Sequence, residues 1–144
     1  MAVARRSRVI QASPAEIWEL IADPDHMPRW WPGVARMEGV QDDRFTQVFT
    51  TKRGRSVRAD FRVVQSDRPY ARAWMQEVEG TPFERVLTES LIAISLNPGA
   101  DGTTVTIEQH QKLRGYSRTG GFLLRRASAG KLDEALEGLA RILG

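Results

Sequence analysis

The fold is decided by residues 56–64, with the sequence SVRADFRVV, in which apolar and polar side chains alternate. Val57, Ala59, Phe61 and Val63 fall on one face of an extended chain, and the residues between them are charged or polar over most of the stretch. This alternation is typical of a strand with one buried and one solvated face. The sequence therefore predicts a sheet that is covered on one side only.

Further strand patterns lie on both sides of this stretch. From the predicted strand 34–40 onward, the connections between strands are short and rich in Gly, Pro, Asn and Asp, which favours hairpin turns. Consecutive strands joined in this way form an antiparallel meander. The predicted strands besides 56–64 are residues 3–12, 34–40, 45–51, 70–78, 85–96 and 104–113.

Helical signals occupy three places. Residues 13–16, Ser-Pro-Ala-Glu, combine a capping Ser, a Pro in the first turn and a Glu three residues after the Ser, so a capping box begins a helix there. The helix is predicted to stop near Asp23-Pro24, because the residue before a proline disfavours helical backbone angles. Residues 25–33 predict an aromatic turn or a small second helix. Residues 119–143 predict one long amphipathic helix.

The order of these elements fixes the fold class. A helix is roughly 10 Å wide, whereas a sheet of about seven strands is roughly 30 Å across. The sheet must curl around the helix, and a curled sheet tends to leave a hollow inside. We therefore predict an α+β helix-grip fold, with a curved antiparallel sheet, two short helices and one long C-terminal helix in a single domain over residues 1–144.

Several stretches also resemble a known family. Residues 12–24 (ASPAEIWELIADP), 28–34 (PRWWPGV) and 101–106 (DGTTVT), together with the terminal helix, are similar to the START-like, or SRPBCC, superfamily and to its polyketide cyclase/dehydrase-like branch. The resemblance implies a Bet v 1-like helix-grip fold with a ligand cavity between the sheet and the long helix. It implies no single activity, because the superfamily includes cyclases, lipid and sterol carriers, hormone receptors and quinone-binding chaperones.

Alternation along the strands selects the residues that face the predicted cavity. If the apolar residues of each strand point inward, they bring along the polar residues at the same spacing. Trp30 and Trp31 lie in a proline-flanked turn, so we expect one at the cavity mouth, the other beneath the turn, and not both buried. The predicted ligand-binding residues are Trp30, Trp31, Phe61, Trp74, Gln76, Ser90, Ile92, Gln109 and Gln111.

Two polar or amphipathic residues near Trp74 are placed differently by the same reasoning. Arg72 shares the face of Trp74, but a charge at a strand end usually reaches solvent, and we expect it to do so. Tyr70 is expected to face inward with Trp74. Glu77 and Glu89, which have the chemistry of acid or base catalysts, fall on the outer faces and are predicted to be solvated.

Composition argues against several classes of function. The chain has no cysteine and only two histidines, His26 and His110, so we expect no metal site, no thiolate nucleophile and no catalytic triad. It has no phosphate-binding loop, and we expect no cofactor. The net charge is +3, yet most basic residues are interspersed with acidic ones, and we expect no nucleic-acid partner.

The cellular setting follows from the same survey. No apolar run is long enough to span a bilayer and no signal peptide is present, so we expect no membrane insertion and a cytoplasmic location. An exposed edge strand at residues 34–40 is compatible with a homodimer.

Three functions stay open on this reasoning. The first is binding of a small hydrophobic molecule, such as a lipid, a quinone or a polyketide-like compound. The alternative is a polyketide cyclase or dehydratase that acts in the same cavity through positioning and a few polar groups. The third is a protein-interaction module whose interior is filled by its own side chains. Whether the protein is an enzyme is left undecided.

Overall fold

A computed structural model describes residues 2–51, 53–115 and 118–144, and the side chains of all of these except 118 and 119. Within them one antiparallel sheet of seven strands has the order β1-β7-β6-β5-β4-β3-β2. The sheet is curved, and the predicted α+β helix-grip class is confirmed. The strands are β1 (Ala2–Ile10), β2 (Val34–Glu38), β3 (Arg44–Thr50), β4 (Ser56–Asp67), β5 (Ala71–Gln76), β6 (Leu87–Gly99) and β7 (Gly102–Leu113).

The first helix, α1 (Pro14–Ile21), begins as the sequence predicts. The Ser13 hydroxyl accepts a hydrogen bond from the Glu16 amide at 3.2 Å, and the Glu16 carboxylate accepts one from the Ser13 amide at 3.3 Å. These two bonds satisfy amide groups that have no partner inside the helix. The helix ends at Ile21, two residues before Asp23-Pro24. The capping box and this end together fix the extent of α1, whose buried face includes Trp18.

The remaining helical elements are one short and one long α-helix and two 3-10 turns. A 3-10 turn at Pro24–His26 leads into α2 (Met27–Trp30), and the long helix α3 covers Arg118–Leu143. A second 3-10 turn, Pro82–Arg85, ends at the residue where the strand 85–96 was predicted to begin, and β6 begins two residues later at Leu87. None of the helices in the described residues is both long enough and apolar enough to cross a membrane.

The hairpin between β6 and β7 is tighter than predicted. Strand pairing continues to Gly99 opposite Gly102, inside the connection expected at residues 97–102. Gly102 has a φ of +130°, and a Cβ atom there would collide with the carbonyl oxygen of Ile10. Only glycine permits both that backbone angle and this approach to the end of β1.

The core lies between the concave face of the sheet and α3. Leu132, Leu136 and Leu139 of α3 are buried, together with Val105 and Ile107 of β7. At Gly138 the helix comes so close to α2 that a Cβ atom would lie 2.6 Å from the carbonyl oxygen of Trp30. The backbones of α2 and α3 therefore touch directly.

Two expectations about aromatic residues are wrong. Trp30 and Trp31 are both buried, at 2% and 8% exposure, because α2 is held beneath α3 and the two rings pack edge to face with centroids 5.5 Å apart. Tyr70 is 54% exposed. It precedes β5 in the turn after β4, so the strand alternation that fixes Trp74 does not extend to it.

The expectation for Arg72 is also wrong. Its side chain is 6% exposed and does not reach solvent freely. Arg72 is the second residue of β5 and pairs across the sheet with Ser66 and Ile94, but residues of α1 and of the turn between β2 and β3 enclose its side chain. Alternation from Ser90 and Ile92 predicts that Thr88 also faces inward, but Thr88 is exposed because the pairing of β6 shifts between Leu87 and Glu89.

Candidate functional site

A hollow of about 330 Å³ lies between the inner face of the sheet and α3. We call it the inner hollow. Strands β3 to β7 supply most of its wall, and the rest comes from α2, α3 and the 3-10 turn after β5. This arrangement agrees with the prediction that space remains between the sheet and the single long helix.

The strand alternation brings nearly all predicted ligand-binding residues to this hollow. Eight of the nine line it, namely Trp31, Phe61, Trp74, Gln76, Ser90, Ile92, Gln109 and Gln111. Trp30 does not line it, and its ring is packed into the core beside Trp31.

Aromatic rings form a continuous wall on one side of the inner hollow. Trp74 is completely buried and packs edge to face with Trp31 and with Phe45, at centroid distances of 6.1 Å and 6.0 Å. Phe45, which does not itself line the inner hollow, stacks on Phe61 with centroids 5.4 Å apart and so links the rings that do. Such contacts add about 0.5–1.5 kcal/mol per pair beyond the burial of area. The wall is therefore a rigid surface for a planar or aliphatic molecule.

Amide side chains supply the polar part of the lining. The Gln111 Oε1 atom accepts a hydrogen bond from the Ser128 hydroxyl at 3.0 Å, and Gln47 donates to the Met27 sulfur at 3.2 Å. The buried Nε2 atom of Gln76 has no acceptor within hydrogen-bond distance among the described residues, and neither does the buried Nε1 atom of Trp74. Buried donors of this kind are rare and demand an explanation.

Sequence reasoning missed the other lining residues for different reasons. Val57 and Ala59 share the alternation of Phe61, so the signal was present in β4. The amphipathic pattern of α3 predicts that Lys131 lies off its apolar stripe, and Lys131 is indeed exposed although it also lines the hollow. Phe83 lies in a 3-10 turn, to which strand alternation does not apply. The residues of the lining that were not predicted are Gln47, Phe49, Thr51, Val57, Ala59, Phe83, Leu87 and Lys131.

The acidic and histidine side chains of the described residues lie outside the lining of the inner hollow. In the described part of the chain no three His, Asp or Glu residues are grouped so that they could hold a metal ion. His110 is partly exposed and its Nε2 atom is 3.7 Å from a carboxylate oxygen of Glu108. Glu77 and Glu89 are exposed, as alternation predicts. None of these groups lines the inner hollow.

A second hollow, of about 390 Å³, lies beside the C-terminal end of α1. We call it the charged hollow. Arg72 lines it and donates from Nη1 to the Ser66 hydroxyl at 3.0 Å, whereas its buried Nε has no acceptor among the described residues. Burial lowers the pKa of Arg72 below its usual range, because the charged form loses its hydration. Glu19, Asp23, Asp42 and Arg68 also line this hollow.

The model of the family described as "Polyketide cyclase / dehydrase and lipid transport" matches residues 1–144. Comparison with curated proteins gave no match.

Among solved structures, the chain is similar to a START superfamily protein from Mycobacterium smegmatis, with a TM-score of 0.79, 13% identity, and 99% of this chain and 97% of that chain covered. It is similar to the di-domain ARO/CYC StfQ of the steffimycin biosynthetic pathway (0.79, 15%, 99% and 50%). It is also similar to the di-domain ARO/CYC BexL of the BE-7585A pathway (0.80, 21%, 98% and 46%). At these identities the likeness shows the fold, and the chain spans about half the length of the two di-domain proteins.

Proposed function

The chain belongs to the polyketide cyclase / dehydrase and lipid transport family, and from this premise we propose that its inner hollow binds a small hydrophobic molecule that carries hydrogen-bond acceptor oxygens. A lipid, a quinone or a polyketide-like compound has this chemistry. The volume of about 330 Å³ falls at the small end of the range typical of pockets for small organic ligands.

One observation carries the proposal. The Nε2 atom of Gln76 is buried in the lining and has no protein acceptor among the described residues. A buried amide donor without a partner costs about 1–3 kcal/mol. A ligand carbonyl or ether oxygen beside Gln76 removes that cost, while the apolar body of the ligand lies on the wall formed by Trp31, Trp74 and Phe61. The lining thus favours a mostly apolar ligand with at least one oxygen.

Identification of a copurifying molecule is the most direct test. The purified protein is denatured, extracted with organic solvent and analysed by mass spectrometry. We expect a lipophilic compound with a carbonyl, ester or ether oxygen in near-stoichiometric amount. An extract without such a compound, combined with failure to bind any quinone or ketone probe, contradicts the proposal.

Substitution of Gln76 tests the polar contact. We expect Gln76→Leu to weaken binding of 2-methyl-1,4-naphthoquinone about fivefold, the effect of one lost hydrogen bond, measured by quenching of tryptophan fluorescence. Gln65→Leu is the matched control, because Gln65 is exposed on β4 and donates to Asp67 instead. Equal affinities for the two variants would remove Gln76 from the binding site.

Substitutions of Gln109 and Gln111 are expected to have different effects from each other. Gln111 holds the buried Ser128 hydroxyl, so Gln111→Leu leaves that hydroxyl unpaired and destabilises the fold by about 1–3 kcal/mol. Gln109 lines the hollow and is only partly buried. Gln109→Leu therefore changes ligand affinity with little loss of stability. Urea denaturation with a parallel binding titration separates the two effects.

A second candidate function is cyclisation or dehydration of a polyketide in the same hollow. Lys131 favours it, because this exposed residue lines the hollow together with Gln109 and Gln111, and an ammonium group there stabilises negative charge on a substrate oxygen. The test is turnover of a thioester-bound triketide, followed by chromatography. We expect Lys131→Met to abolish product formation if the protein is an enzyme. Substrate that binds and returns unchanged from the unaltered protein supports the binder alone.

Partners and location remain predictions. β2 is an edge strand of the sheet, and a homodimer formed along it is expected to dissociate when Arg36, which lies on that strand, is replaced by proline. Light scattering of the two proteins at equal concentration measures this. The cytoplasmic location and the lack of a nucleic-acid partner are proposed on the sequence composition.

A further inference from the structure

The first turns of α3 expose apolar side chains. Phe122 is 54% exposed and Leu123 is 58% exposed, although they are adjacent and large. Val3 of β1 is also 40% exposed, and it lines the same surface groove as Phe122, a groove of about 270 Å³ between β1 and α3. Exposed apolar side chains that cluster in this way mark contact surfaces more often than single ones do.

Arginines surround these apolar residues. Arg5 and Arg6 of β1 and Arg125 and Arg126 of α3 line the groove, and all four are exposed. Arg6 forms an ion pair with Asp133, at 3.3 Å. Arg5, Arg125 and Arg126 have no ion pair with any of the residues that the structure describes. The groove therefore has an excess of positive charge beside an apolar tip. We call Val3, Phe122, Leu123 and the four arginines the arginine patch.

We propose that the arginine patch docks the protein on the surface of a membrane that contains anionic lipids. Phe and Leu enter the boundary between headgroups and acyl chains, and arginines bind the lipid phosphates. Charge alone would also suit an acidic protein, but such a partner does not require an exposed Phe-Leu pair. Arginines on an edge strand deter aggregation, which accounts for Arg5 and Arg6 and not for Phe122 and Leu123.

The position of the patch connects it to the inner hollow. Lys131, which lines the inner hollow, follows Arg126 by five residues on the same helix, a distance of roughly 7.5 Å along the axis. Five residues also turn the helix by about 140°, so docking through the arginine patch brings α3, which borders the inner hollow, to the lipid surface, with Lys131 on another face of the helix. This role rests on the proposed function, because a protein that takes up a hydrophobic ligand from a membrane must bring its pocket to that membrane.

The test is co-sedimentation of the full chain with vesicles of phosphatidylcholine, with and without phosphatidylglycerol. We expect binding only to the vesicles that contain phosphatidylglycerol, and loss of binding at high salt. Each arginine near such a surface strengthens binding about fivefold. Arg125→Ala combined with Arg126→Ala should thus weaken binding roughly 25-fold. Arg53→Ala combined with Arg55→Ala removes the same charge from the exposed β3–β4 turn and should leave binding nearly unchanged.

A third variant separates lipid from other partners. Phe122→Gln combined with Leu123→Gln keeps the charge and should weaken vesicle binding at least tenfold. If this variant binds as well as the unaltered protein, or if the control pair loses as much as Arg125 and Arg126, docking on a membrane is overturned. Equal binding to both kinds of vesicle, or none, also overturns it. Gln76→Leu should keep full vesicle binding, so a failure of ligand binding is distinguished from a failure of docking. Circular dichroism verifies that each variant is folded.

Discussion

The inner hollow and the charged hollow are similar in size and opposite in chemistry. Their volumes are about 330 Å³ and 390 Å³. Aromatic rings and amides line the first, whereas two arginines and three carboxylates contribute to the lining of the second. In the charged hollow, Arg68 already pairs with Glu19 at 2.6 Å, and both side chains are well exposed. Volume alone therefore does not identify the binding site.

The two hollows differ in the charge of their buried polar groups. The inner hollow keeps a neutral donor, Gln76 Nε2, buried beside apolar rings, which a neutral ligand oxygen can match at little cost. The charged hollow holds Arg72, whose desolvation a neutral ligand cannot offset. Three substitutions test this comparison.

The largest effect is expected from Trp74→Ala. Trp74 is completely buried and joins Trp31 and Phe45 in the aromatic wall, so its loss should lower the free energy of unfolding by about 3–5 kcal/mol. Chemical denaturation measures this. Tyr70→Ala is the control, since Tyr70 is exposed and should change stability by about 0.5 kcal/mol or less. If the two variants lose the same stability, the packing of Trp74 in the aromatic wall does not stabilise the core as described.

Gly138→Ala should have an intermediate effect. A methyl group at this position collides with the backbone of Trp30, and displacement of packed elements costs about 1–3 kcal/mol. In Gly130 the same change meets no atom within 4 Å. Gly130→Ala should instead stabilise α3 by up to about 1 kcal/mol. Thermal denaturation should show a lower Tm for Gly138→Ala and a higher Tm for Gly130→Ala. A stabilising Gly138→Ala would show that α2 and α3 are not in direct contact.

The smallest effect is expected from Arg72→Met. Replacing an unpaired buried charge by an apolar chain of similar length should leave stability unchanged or raise it by about 1 kcal/mol. Because burial lowers the pKa of Arg72, the folded state bears this cost while the group is charged, and the cost is relieved only as a strongly alkaline pH passes the lowered pKa. The gain should therefore be constant around neutral pH.

The control for Arg72 is Arg68→Met, which removes an exposed ion pair and should cost about 0.5 kcal/mol or less. Urea denaturation at neutral pH compares the two variants. A loss of more than about 2 kcal/mol for Arg72→Met would mean that Arg72 is held by favourable interactions, and the contrast between the hollows would disappear.

The sequence was sufficient for the fold and for most of the candidate site where local rules apply. Alternation placed Trp74, Ser90 and Gln111 on the inner face because strand geometry fixes side-chain direction residue by residue. The capping box predicted the start of α1 because the signal is contained in four residues. These features depend on neighbours along the chain.

The errors lie where contacts between distant segments decide the outcome. Trp30 is buried because Gly138, more than a hundred residues later, allows α3 to approach α2. Thr88 turns outward because the pairing of β6 with β7 shifts near its start. Arg72 is buried because α1 and the turn between β2 and β3 enclose it. No pattern within one strand carries this information.

The contact at Gly138 fixes α3 against α2 near the C-terminal end of α3. Because the backbones of α2 and α3 are in contact at Gly138, α3 has no room to shift toward α2 there. We expect any widening of the inner hollow to come from the part of α3 on the side of Lys131, or from the 3-10 turn that carries Phe83. If the proposed ligand enters the inner hollow, we therefore expect it to do so on the side of Lys131 and Phe83.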